Sequence, residues 1–106
     1  MLKPQKHLTE SSRAWWLEIA GEYQLEVHHL RLLTLAAEAW DRGQEARETV
    51  ATDGAYYLNK SEEPRAHPAI AVERDSRIAC ARLTRELDLD GVVGPDTRPP
   101  RIMSRT

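Results

Sequence analysis

The chain has 106 residues, of which 30% are charged, with a formal net charge of −2 and a single cysteine. That length makes one domain, with a core large enough to fold and small enough to benefit from association. The slight acidity excludes a histone-like, generally basic nucleic-acid binder but leaves room for a local basic patch, and the lone Cys80 excludes an internal disulfide or an all-cysteine zinc site and suits a reducing cytoplasm.

Residues Met1 to Leu8 are polar and contain Pro4, and they read as a flexible N-terminal arm carrying Lys3 and Lys6. The arm lacks the apolar segment of a signal peptide, and no later run is long and apolar enough to span a membrane. A first helix follows, with Thr9, Ser11 or Ser12 as candidate caps. Trp15, Trp16, Ile19, Ala20 and Tyr23 fall on one face until Gly21 to Gln24 weaken the pattern. Two adjacent tryptophans this early suggest a lid on the next helix, as core packing rather than as a platform for bases. The junction at Leu25-Glu26 is short, so the first two helices should cross at an angle or run antiparallel.

The dominant element is the stretch from Glu26 to Thr52, free of proline, broken only by Gly43, and rich in leucine and alanine. At 1.5 Å per residue it is roughly 40 Å long, more than the width of a compact domain of this size. Its apolar residues, among them Leu30, Leu32, Leu33, Leu35, Ala36, Ala37, Ala39, Trp40, Ala46 and Val50, occupy an arc of roughly 220°, wider than a surface helix uses. Such an arc needs a neighbour on each flank. A later helix of the same chain supplies one, and either the N-terminal helix or another copy of the protein supplies the other.

The long helix should end at Asp53-Gly54, with the glycine in the left-handed C-terminal position. Between Ala55 and Ala66 the chain is either a small β-hairpin or an ordered loop. Only Ala55-Tyr56-Tyr57-Leu58 is strand-like, which argues against a real sheet. His67-Pro68 then opens a third helix, expected to run to about Leu87 with Pro68 at its first position. One side of it carries Ala69, Val72, Ser76, Ala79, Cys80, Leu83 and Leu87, suited to packing against the long helix. The other mixes Ile70, Ala71, Ile78 and Ala81 with Arg74, Arg77, Arg82 and Arg85. Arginine stems could cover isoleucines on a solvated face, or the mixture could be a subunit interface that meets acidic side chains of a neighbour. From Asp88 the pattern decays into a glycine- and proline-punctuated tail ending in Arg98, Arg101 and Arg105.

The expected fold is all-α, with three main helices, a long central antiparallel helical hairpin, and a short irregular or hairpin loop between the two long helices. Its organisation is a flexible arm over 1–8, a helical oligomerisation core over 9–89, and a flexible basic tail over 90–106.

Catalytic constellations are missing. His7, His28, His29 and His67 make no metal pair at i, i+4 spacing, and His28 and His29 should point to different faces of their helix. His67, before a proline at a helix start, reads as a capping or packing residue, and Cys80, on an apolar stripe, as inert filling. There is no glycine-rich phosphate loop, nucleophile elbow or isolated carboxylate pair. The expectation is a chain that is not an enzyme on its own and uses no cofactor or metal.

The order of these segments resembles a known family. Leu8-Thr9, Trp16, Ile19 and Tyr23-Gln24-Leu25, the alanine-rich long helix, Asp53-Gly54, and His67-Pro68-Ala69 opening a basic helix that ends at Leu87-Asp88-Leu89 are similar to the small subunit of phage terminase, in the branch called the P27 family. The spacer after Gly54 departs from the pattern, being tyrosine-rich and acidic, and the N-terminal arm is short for the family. The resemblance implies a non-enzymatic component of viral genome packaging in the host bacterial cytoplasm. Its partners would be further copies of itself in a ring, double-stranded viral DNA, and the large terminase subunit that carries the ATPase and nuclease.

For DNA the candidate residues are Lys3, Lys6 and Arg13 near the N-terminus and Arg98, Arg101 and Arg105 in the tail, meeting phosphates rather than base edges. For the subunit contact they are Leu33 and Trp40 on the long helix with Ile70, Arg74, Arg77, Ile78, Arg82 and Arg85 on the third. The competing classes are a non-enzymatic helical adaptor and a dimeric transcription-regulator-like module. Subunit number separates them from a ring. A helix-turn-helix reader lacks a basic recognition helix after a short turn, and a metal-dependent nuclease lacks its carboxylate or histidine cluster.

Overall fold

The computed structural model describes residues 2–89, and its elements are three helices and one small hairpin, α1 (Glu10–Glu22), α2 (Val27–Asp53), β1 (Tyr56–Leu58), β2 (Pro64–Ala66) and α3 (Pro68–Leu87). The helical hairpin expected from the sequence is formed by α2 and α3, which pack along one another. The basic tail lies outside the described residues.

Each helix starts on a local device. Thr9 caps α1, its hydroxyl oxygen accepting from the Ser12 N–H at 3.2 Å. At the start of α2 the Glu26 side chain accepts from the backbone of His29, while His29 Nδ1 accepts from the Glu26 N–H at 3.0 Å, a reciprocal cap with an imidazole in the place usually held by Glu or Gln. His67 caps α3 as expected: its Nδ1 accepts from the Ala69 N–H at 3.0 Å, which leaves the proton on Nε2, directed at Asp53 Oδ2 at 3.1 Å. The cap and the neck of the hairpin are therefore held by one ring.

Two local expectations need correction. Gly54 does end α2, but with φ 93° and ψ 158°, so it combines a positive φ with an extended ψ and sends the chain straight out into β1. The left-handed cap is instead Asp88, at φ 51° and ψ 55°, closing α3. The spacer forms a true antiparallel pair, with Tyr56 opposite Ala66 and Leu58 opposite Pro64. The signal missed was Asn59, whose side-chain oxygen accepts from the N–H groups of Ser61 and Glu63, both at 2.9 Å, and organises the reversal without any glycine. Pro64 sits at the strand's first position, where its missing N–H breaks no pairing.

The core is at one end. Leu8, Trp16, Leu33, Ala37 and Leu87 form the buried cluster, so α1 and the end of the arm cover one flank of α2 over its first half. The N-terminal helix thus supplies the cover that the sequence left open between it and a second copy. The Trp16 indole N–H donates to Thr34 Oγ1 at 3.1 Å. On the α3 side the contact is made by small residues: Ala36, Ala39, Gly43 and Ala46 are buried, and a Cβ added at Gly43 would lie 3.4 Å from that of Ser76. Small residues on both helices allow close approach of the axes.

Candidate functional site

Away from that cluster the described residues make the hairpin two helices thick. From residue 47 to residue 75, through the second half of α2, the β-hairpin and the first part of α3, no residue is buried. Both strands are exposed at every position, with Tyr56 at 68%. A two-helix hairpin capped by an isolated two-stranded ribbon has little to hold it in water, since helical stability comes mainly from packing and a lone ribbon is marginal.

The outer side of α3 is the mixed face expected from its sequence. Ile78 is 51% exposed, with Arg74, Arg77, Arg82 and Arg85 exposed around it and Ile70 half-buried. Arg77 pairs with Glu73 at 3.1 Å and Arg74 with Asp75 at 3.2 Å, both on their own helix. Arg82 and Arg85 make no ion pair among the described residues. Leu33, by contrast, is fully enclosed at 0% exposure by the chain's own core, so it has no surface to offer another subunit. Trp40 is 52% exposed and overlooks an open groove of about 320 Å³ between α1 and α3, lined also by Ser11, Ser12, Trp15, Cys80 and Thr84.

The N-terminal basic residues divide. Lys3 and Lys6 are exposed. Arg13 Nη1 donates to the carbonyl oxygens of Lys6 and Leu8, at 3.0 and 2.9 Å, so its guanidinium braces the arm against α1. His7 reaches Glu38 at 2.7 Å, and Leu8 is buried, which lays the C-terminal part of the arm along the body. Arg98, Arg101 and Arg105 lie outside the described residues. On the back of α2, Glu38, Asp41, Glu45 and Glu48 share an open depression with His7, Thr9, Arg42 and Gln44.

The histidines are close where separation was expected: the rings of His28 and His29 lie 4.1 Å apart, tilted by 39°. His29 Nδ1 is already occupied by the Glu26 N–H. Among the described residues no group of three or more His, Cys, Asp or Glu side chains could hold a metal ion, and no helix is long and apolar enough to cross a membrane.

Comparison with known proteins gives one result. A family model described as phage terminase, small subunit, matches residues 12–92, which takes in most of α1 and all of α2, the β-hairpin and α3. No curated protein and no solved structure matches the chain significantly. The match covers most of the sequence and coincides with the helical body that carries the exposed basic face and the open distal hairpin; the chain belongs to the phage terminase small subunit family.

Proposed function

We propose that the protein acts as an oligomeric DNA-binding component of the packaging machine, one that recognises viral DNA and recruits and regulates the large terminase subunit. The observation that carries the oligomeric part is the distal hairpin: residues 47–75 contain no buried side chain, and they run beside a face on which Ile78 stands half-exposed among four arginines. A neighbour of the same kind would give that region the third layer it lacks. DNA contact is assigned to exposed cations, Lys3 and Lys6 at the N-terminal end and Arg98, Arg101 and Arg105 in the tail, acting on phosphates and multiplied by the number of subunits.

The test is absolute mass in solution, by light scattering or native mass spectrometry at low and moderate salt, followed by DNA binding over the same salt range. A discrete high-order oligomer whose DNA affinity falls steeply with salt supports the reading. A stable monomer removes the oligomeric part, and a salt-independent affinity removes phosphate contact as the source of binding. Deleting residues after Gly91 separates the roles of the tail, according to whether DNA binding or stimulation of the large subunit's ATPase is lost.

A further inference from the structure

The two long helices carry opposite charge on their outer sides. The hairpin touches at Gly43 on α2 and Ser76 on α3, and positions about 140–220° around each helix from that contact face away from the partner helix. Between residues 38 and 48 of α2 those positions are Glu38, Asp41, Glu45 and Glu48; between residues 74 and 85 of α3 they are Arg74, Ile78, Ala81 and Arg85, with Arg77 and Arg82 on the shoulders. One back of the hairpin is therefore acidic and the other is basic with an apolar centre.

We infer that the basic back of α3 in one copy docks on the acidic back of α2 in the next, making a head-to-tail contact between two different surfaces. This inference rests on the oligomeric reading above and adds the surfaces to it. Three observations carry it. The first is complementary charge: Glu45 and Glu48 on one side, Arg82 and Arg85 on the other, have no ion-pair partner among the described residues. The second is spacing. Along α2 the acids Glu45 and Glu48 are about 4.5 Å apart, and along α3 the bases Arg82 and Arg85 are about 4.5 Å apart, at 1.5 Å per residue, so the two pairs match in either direction; Glu38 is held by His7 of its own chain. The third is shape, because the acids border an open depression that also contains Arg42 at its edge, while Ile78 projects from the centre of the basic face. Asp41 stays with its own chain, since both of its oxygens accept hydrogen bonds from the start of α1.

A contact between unlike surfaces leaves one acidic and one basic back open at the ends of every pair, so it repeats until a ring closes or a filament grows. Two copies meeting through the same surface would place arginine against arginine, which costs several kcal/mol at an interface. The Arg74–Asp75 and Arg77–Glu73 pairs are solvent-exposed and of little worth, so they do not compete strongly with a neighbour.

The experiment uses the full chain with each back reversed separately, R82E/R85E and E45R/E48R, and then both together. All four positions are exposed, and far-UV circular dichroism checks that helicity is kept. Each single-face reversal is expected to lower the solution mass at a given concentration by raising the dissociation concentration at least tenfold. The chain carrying all four substitutions is expected to recover the wild-type mass, and an equimolar mixture of the two reversed proteins is expected to associate, with the two variants alternating. The neutral pairs R82Q/R85Q and E45Q/E48Q, which introduce no repulsion, should weaken assembly in the same direction and serve where a reversed chain loses helicity. Wild-type mass in both reversed proteins, or failure of the four-fold variant to recover it, overturns the inference while leaving the oligomeric reading in place. A monomeric wild type removes both. Unchanged mass with lost DNA binding in R82E/R85E overturns it in favour of the α3 face as a nucleic-acid surface.

Discussion

Both oxygens of the Asp41 carboxylate accept hydrogen bonds from the start of α1: the Thr9 N–H at 2.9 Å, the Thr9 hydroxyl at 2.8 Å and the Ser12 hydroxyl at 2.6 Å. A carboxylate set against a helix N-terminus is doubly favoured, by those donors and by the helix dipole. Asp41→Ala is expected to cost about 1–3 kcal/mol in urea unfolding, with most of the loss in the docking of α1; a change within 0.3 kcal/mol or so would show that the bonds contribute little. Gly54 is the other position where one residue decides the backbone. Its φ of 93° with an extended ψ is a region essentially reserved for glycine, so Gly54→Ala is expected to lower stability by about 1–3 kcal/mol in the same assay. What was legible at this scale depended on distance along the chain. His67 announces its capping role because the N–H it accepts from, that of Ala69, is two residues away, whereas Asp41 looks like any surface acid because Thr9 is 32 residues distant.

The same limit governs the elements. All three helices could be read from periodicity, caps and breakers, with ends displaced by a residue or so, because those signals are local. The second strand could not, because Pro64-Arg65-Ala66 has no strand propensity of its own and exists through pairing with Tyr56-Tyr57-Leu58 and the Asn59 turn. Nor could the sequence decide which neighbour covers the Leu33 flank, since both candidates satisfy the same apolar arc. In the sequence Gly43 is a single interruption of the helix; in the fold it faces Ser76 of α3, where an added Cβ would lie 3.4 Å from that residue's Cβ. Gly43→Ala is expected to change stability by less than about 1 kcal/mol, the gain in helix propensity offsetting a snug contact with Ser76. Gly43→Leu should force the helices apart and cost about 1–3 kcal/mol. A melting temperature equal to wild type for the leucine variant would mean that the hairpin yields there without strain.

At the largest scale, extents of 62 × 31 × 16 Å give the described residues the form of a plate whose thickness is little more than one helix with its side chains. Stability is distributed unevenly along it. Amide hydrogens in residues 47–75 are expected to exchange faster than those around Leu33 and Leu87 in the dissociated chain, and to gain protection on assembly. Uniform protection in the dissociated chain would show that the two-helix end stands by itself. The same asymmetry governs what optical probes can see. Of the three tryptophans, Trp15 and Trp16 belong to the core cluster and Trp40 lines the groove beside Trp15, and from Trp40 to the end of α2 is about 20 Å. Indole emission is therefore blind to the far end: the tip with Tyr56 and Tyr57 could fray with no change in tryptophan fluorescence while ellipticity at 222 nm falls. Denaturation curves from the two signals would then separate, and a midpoint taken from fluorescence alone would describe half a protein.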